Sequence, residues 1–462
     1  MHQQSNQLLT GNITKALTTL ALPIMGTSFL HMAYHLVDMI WIGLLGSSSV
    51  AAIGIAGYFI TFSMALSRLV QVGTEVNIAQ NIGAGRTDDA NAYAASSLRM
   101  ALTLAVLYGL FLAFFKQPLI SFFHIDNPFV EENAIRYLTI MAVGMPFIFL
   151  NPMMTCIYNG AGNSKAPFKV NAFGMIANLL LDPLFIFGFG LGVTGAAIAT
   201  VLSQFLVTLI LFRMLFRQLP YPAFHLKSAF RFSLAKDIGR LGSPVALQTG
   251  LFSIFSILLA RIVSAYGAEA IAAQKVGVQI ESISYMTAHG FSIALSSFTG
   301  QNFGAGKTDR VRKGILTAGM LMAIFGTLTS FLLYFLAQPL FMIFIRDPET
   351  VVIGTQYVKI LGLSQLFMCF EIALSGGFNG LRKTTPPAVI GILFTGLRVP
   401  AAYFLAQESM LGLNGVWWTI TGSSWIKGAL MLIMIGFLLR SLPKELPTHK
   451  KAVSTQSFGD TA

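Results

Sequence analysis

Twelve long apolar runs, separated by short polar or glycine-containing stretches, follow one another along this chain of 462 residues. The hydrocarbon core of a bilayer, about 30 Å thick, is crossed by roughly 20 helical residues. Backbone amides find no water there, so only helices and closed barrels can cross. These runs are continuous and do not alternate in polarity, which predicts helices. They fall at 16–43, 50–80, 92–115, 134–158, 167–188, 192–216, 240–265, 270–299, 311–337, 354–378, 385–405 and 412–439. Hydrophobic residues make up 55% of the chain and charged residues 10%, with a mean hydropathy of +0.70. So few charges cannot cover a soluble surface. The expected class is an all-α polytopic membrane protein.

Twenty of the 30 Lys and Arg residues lie at the termini or in the loops after even-numbered runs, among them Arg86, Lys165, Arg217, Lys307, Arg312, Arg382 and Arg440. The loops after odd-numbered runs hold few, Lys116 and Arg346 being the clearest. The positive-inside rule then places both termini in the cytoplasm of a cell with this protein in its inner (plasma) membrane. The formal charge of +12 does not mass in one patch, so no nucleic-acid partner is expected. Cys156 and Cys369 sit in apolar runs and read as small buried hydrophobes, with no disulfide or zinc spacing. The opening residues lack a basic signal-peptide segment, so the first run is expected to stay as a membrane helix.

The chain repeats itself. Gln80-Asn-Ile-Gly-Ala-Gly-Arg-Thr-Asp88 recurs as Gln301-Asn-Phe-Gly-Ala-Gly-Lys-Thr-Asp309, and Pro23, Asn159-Gly160 and Pro167 find partners in Pro244, Asn379-Gly380 and Pro387. Residues 1–216 and 240–440 are therefore read as two six-helix bundles, joined by a basic linker (217–239) and followed by a polar tail (441–462). Six crossings leave both copies in the same orientation, so the twelve transmembrane helices should obey a pseudo-twofold axis along the membrane normal. Two such bundles enclose a cleft and rock about it, which suits transport by alternating access. The Gln-Asn-x-Gly-Ala-Gly segments read as helix C-caps and tight turns; phosphate loops follow strands instead.

An ionisable residue at bilayer depth is costly and so marks function by default. Asp38 in the first run shares a helical face with His31, Tyr34 and His35, beyond Pro23, a place where the helix can bend. Burial favours the neutral form of a carboxyl, so such an acid can take up and release a proton. In the fifth run Asn178 and Asp182 lie one turn apart beside Pro183. Packing is the competing role for both groups, and His31, His35 and Asp38 lack an evident fourth ligand for zinc. Thr200 and Asn151 are further polar candidates, divided between cleft and packing. The second half offers Glu281, Tyr285 and His289 at successive helical turns, Glu371 in the tenth run, and Arg261 in the seventh. Arg68, Gln71 and Glu75 form a stripe in the second run, where Glu75 reads as an ion-pair or gate residue.

The paired Gln-Asn-x-Gly-Ala-Gly segments, Pro23, Val37-Asp38…Gly43 and Asn159-Gly-Ala-Gly-Asn-Ser164 resemble those of the multidrug and toxic compound extrusion (MATE) family, over about residues 13–440. Asp38 with Asn178 and Asp182 resembles the branch named after the DNA-damage-inducible protein F. The resemblance implies cation-coupled export of bulky drugs or toxic organic compounds, with Asp38 and Asp182 as the coupling pair and Asn178, Tyr34 and Thr200 around them. The coupling ion would be a proton, with sodium as the alternative; no other cofactor is expected. Asn151, His31, His35, Glu281, Tyr285, Glu371 and Arg261 are then substrate-cleft candidates and Pro23 the bending point. The expected partners are small-molecule drugs and membrane lipid, and the expected state a monomer. A lipid-linked precursor flippase of the same superfamily is the alternative; it would want a cation-rich cleft, and the cations expected at membrane depth are few (Arg68 and Arg261). No catalytic constellation of an enzyme is apparent.

Overall fold

The computed structural model describes residues 7–218 and 231–443, and every regular element among them is helical. The first half comprises α1 (Ile13–Gly43), α2 (Ser47–Gly83), α3 (Thr87–Ser121), α4 (Pro128–Gly160), α5 (Lys165–Pro183), which runs into a π-turn (Leu184–Gly188), and α6 (Gly192–Gln218). The second comprises α7 (Phe232–Ser264), α8 (Ala268–Gly304), α9 (Thr308–Phe335), a short α10 (Ala337–Met342), α11 (Pro348–Gly362), α12 (Gln365–Gly380), α13 (Thr385–Gly396), α14 (Arg398–Leu405) and α15 (Leu413–Ser441).

Among the described residues ten helices are long and apolar enough to cross a membrane, eleven when α11 and α12, bent by 54° at their junction, are taken as one broken span. Helix α8, 37 residues long, fills the place of the twelfth expected run but is more polar than these. Two expected continuous helices are thus interrupted. Run 354–378 breaks at Leu363-Ser364, next to Gly362, and run 385–405 breaks at Leu397. By contrast α1 passes through Pro23 unbroken. Of the expected linker, residues 217–218 close α6 and 232–239 open α7; residues 219–230 and the tail beyond 443 lie outside the described part.

Packing follows the repeat. In the first bundle α4 packs on α2, α3 and α6; in the second α12 packs on α8, α9 and α15. Between bundles α1 meets α8, α7 meets α2, and α2 meets α8, which is the exchange a twofold relation requires. The cores show where the bundles separate. At one end Leu17, Leu20 and Ile24 of α1 join a core with Phe298, Ile315 and Leu374, and Ile238 of α7 joins Val70, Ile78 and Met153. At the other end each bundle keeps its own core, around Tyr137 and Phe149 in one and Tyr357 and Trp417 in the other.

The same division runs along α2 and α8. From Val70 to Asn81 only Val72 is not buried, and from Thr287 to Asn302 only His289 and Ile293 are not. Nearer their N-termini, Tyr58, Phe62, Met64, Ile283 and Tyr285 are exposed. A cleft therefore opens between the bundles toward the N-terminal ends of α2 and α8 and closes toward their C-terminal ends. Exposed Phe114, Phe331 and Phe437 lie on helices apolar enough to face lipid.

Candidate functional site

Asp38, Asn178, Asp182, Tyr34 and Thr200 converge in the first bundle. Asn178 and Asp182 stand one helical turn apart on α5, and the Asn178 amide donates to Asp182 Oδ1 at 3.1 Å. The Tyr34 hydroxyl of α1 donates to Thr200 Oγ1 of α6 at 3.0 Å. Asp38 of α1 and Asp182 of α5 lie within electrostatic range of one another. Asp38 Oδ1 and Asp182 Oδ2 are buried without a hydrogen-bond partner. Among the described residues no Lys or Arg reaches either acid within ion-pair distance. Two carboxyls in electrostatic range of each other favour a proton or cation between them, and here the protein supplies no cation of its own.

The backbone places this pair where the α-helix gives way. Pro183 has no N–H for the carbonyl one turn back, and the chain continues as the π-turn Leu184–Gly188. Sequence reasoning missed Tyr137 of α4, buried and within electrostatic range of both carboxyls. Nothing in its run sets it apart from any other core tyrosine.

The second bundle holds a different arrangement. Lys427 Nζ of α15 pairs with Glu371 of α12 at 2.8 Å. Arg398, at the start of α14, donates to Ser423 at 2.5 Å and Ser424 at 3.1 Å, and Glu281 of α8 accepts from Gln365 at 3.4 Å. Glu281 lies within electrostatic range of Arg398 and Lys427. Two acids and two bases thus neutralise one another beside both helix breaks. Arg398 and Lys427 were overlooked although each is a lone cation in an apolar run, the signal that singled out Asp38.

Other candidates separate from the acid pair. Asn151 ties α4 to α6, donating to the Gln204 carbonyl at 3.0 Å and its side chain at 2.6 Å while accepting from Thr208 at 2.7 Å. These bonds engage its amide in packing between α4 and α6. Arg261 is exposed in the last turn of α7, where a cation complements the helix end. His31 and Tyr34 line a small recess with Asn171 and Gln204. The His35 ring meets the Tyr34 ring edge-on at 5.4 Å, and neither imidazole hydrogen-bonds a carboxylate. Tyr285 stacks on His289. Glu75 accepts from Ser297 across the bundles at 3.0 Å.

The MatE family model matches residues 23–184 and 244–404, one copy in each half. The chain belongs to the MATE family. This MATE transporter is 30% identical over 413 residues to a probable multidrug resistance protein NorM of Thermotoga maritima, covering 88% of each chain. It is 27% identical over 396 residues to a protein of Shewanella oneidensis named an FAD transporter, covering 83% of this chain and 86% of that one. A solved structure of the outward-facing conformation of a multidrug resistance MATE family transporter superposes with a TM-score of 0.87 at 25% identity, covering 94% of this chain and 98% of that one. MATE proteins are membrane transporters, not enzymes.

Proposed function

We propose that this MATE transporter is a proton-coupled antiporter that exports structurally diverse drugs or toxic organic compounds across the plasma membrane, as a monomer with both termini in the cytoplasm. The observation that carries this reading is the pairing of Asp38 with Asp182 within electrostatic range, with an unpartnered buried oxygen on each and no Lys or Arg at ion-pair distance among the described residues. A carboxyl pair favours a shared proton over sodium, which prefers several oxygen ligands at once. The second bundle contains its own cations, so its acids need none from solution.

In this orientation the cleft opens outward, and the basic turns after α2 and α8 close the cytoplasmic side. A proton enters from outside and neutralises the pair. The α1 helix then bends at Pro23, the cleft reshapes and cargo leaves outward. The bundles rock and the proton departs inward. Proton and cargo favour opposite states, so their linkage is negative. The names borne by relatives, multidrug resistance protein and FAD transporter, support a broad cargo range.

The test is transport in proteoliposomes under an imposed pH gradient and, separately, a sodium gradient. Wild type should respond to the pH gradient, and Asp38→Asn should lose coupled export while remaining folded. Full efflux by Asp38→Asn rejects the mechanism, and a response to sodium alone rejects the proton.

A further inference from the structure

Arg68 and His289 occupy the same position in the two copies of the repeat, 221 residues apart, and they touch. Equivalent residues meet only on the pseudo-twofold axis, so this contact lies on the midline between the bundles. It also lies at the depth where α2 and α8 pass from exposed to buried, which makes it the floor of the cleft. Arg68 is half-buried there.

The chemistry of the contact is specific. A guanidinium can only donate, so His289 Nε2 accepts from Arg68 Nη2 at 3.3 Å and the ring is held as the neutral Nδ1–H tautomer. Among the described residues no carboxylate comes within ion-pair distance of Arg68. The acid within electrostatic range, Glu75, lies two turns deeper and is engaged by Ser297. Tyr285, 47% exposed, stacks on His289 beside the contact. A charged fork without a paired anion, an oriented imidazole and a ring face make a site for an aromatic molecule bearing an anionic group.

We propose that Arg68, oriented by His289 and flanked by Tyr285, binds a carboxylate or phosphate on the cargo, so that exported molecules include aromatic compounds carrying such a group. This rests on the export reading and adds a cargo class to it. The acids of the first bundle serve the coupling ion, and the cation on the midline serves the cargo.

Rhodamine B carries a carboxylate that its ethyl ester lacks, on the same ring system. Fluorescence anisotropy with purified protein should show Arg68→Gln weakening rhodamine B by about tenfold, the loss expected for a charge-assisted hydrogen bond, with the ester changed less than about twofold. Arg68→Lys keeps the charge and should recover part of the loss. Equal losses for both dyes, or no loss for either, overturn the proposal. Should Arg68→Gln fail to fold, competition in wild type decides: benzoate should displace rhodamine B and benzamide should not, and equal displacement overturns the site. Ester export from wild-type proteoliposomes under a pH gradient reads the export proposal separately. Export of the ester with an unchanged rhodamine B affinity in Arg68→Gln rejects only the anion site. Absent export with the selective loss rejects only coupled export.

Discussion

Gln80 and Gln301 hold opposite bundles by the same bond. Gln80 Nε2 donates to the Gly380 carbonyl at 2.8 Å, and Gln301 Nε2 donates to the Gly160 carbonyl at 2.8 Å. Each glutamine opens one copy of the repeated motif, and each acceptor closes the fourth span of its bundle. The motif does end its helix as expected, with Gly85 at φ 72° and Gly306 at φ 75° in the turns. Its second role is this reciprocal latch at the closed end of the cleft. Glycines permit the approach: a Cβ on Gly83 would lie 1.9 Å from the Gln301 carbonyl oxygen, and one on Gly304 would lie 2.0 Å from that of Gln80.

Breaking the latch should open that end. Gln80→Ala and Gln301→Ala each leave a buried carbonyl unpaired, a cost of about 1–3 kcal/mol to the closed state. Gly83→Ala should act more strongly, because backbone must move. Spin labels at the exposed, repeat-equivalent Asp88 and Asp309 report the separation. The native Cys156 and Cys369 are buried and give little background. A longer-distance population is expected in all three variants; an unchanged distribution would deny the latch any hold on the equilibrium.

Arg382 adds a second clasp at the same end. It pairs with Asp237 of α7 at 2.5 and 2.6 Å and also donates to Asn77 of α2. Its backbone is left-handed, with φ 62°. Arg382→Ala loses the clasp and keeps the strain, whereas Arg382→Gly loses the clasp and relieves the strain. The glycine variant should therefore be the more stable of the two by about 1 kcal/mol. Thermal midpoints in detergent decide, and an alanine variant at least as stable as the glycine one would contradict the account.

Lys427 and Glu371 should be removable together but not singly. Their side chains are 6% and 13% exposed. Lys427→Met removes the ion-pair partner of the largely buried Glu371, a loss of about 3–5 kcal/mol. Adding Glu371→Met should restore most of it. A double variant no better than the single one would show that the pair does not act as a unit.

Asp347 supplies an acid-sensitive cap outside the spans. It accepts from the Thr350 amide at 3.0 Å and hydroxyl at 2.7 Å at the start of α11, and the amide bond chiefly holds its carboxyl below the usual carboxylate range. Because the folded value is the lower one, its contribution is complete above the unfolded value and fades as the pH falls through the folded one. Asp347→Asn keeps a capping oxygen without the titration. The gap in thermal midpoint between wild type and Asp347→Asn should narrow in acid and stay level near neutrality; a gap that widens in acid would reverse the sign.

Much of the fold was legible in the residues. Apolar length against bilayer thickness is a property of one segment, so the spans could be counted before any packing was known. The offset between Gln80 and Gln301 exposed the duplication, and a duplicated unit with an even number of crossings implies its own symmetry axis. Asp38 stood out because an acid in an apolar run is rare whatever surrounds it.

Only the tertiary structure could decide which polar groups are already satisfied. Asn151 and Asn178 look alike in sequence, yet one is tied into helix packing and the other donates to Asp182. Glu371 and Asp182 are both acids withdrawn from solvent, but one has Lys427 beside it and the other has a second carboxyl in electrostatic range. The helix breaks next to Gln365 and Arg398, the latch and the meeting of Arg68 with His289 also appear only in three dimensions. Span length depends on neighbours along the chain, whereas charge compensation depends on side chains brought together from distant helices.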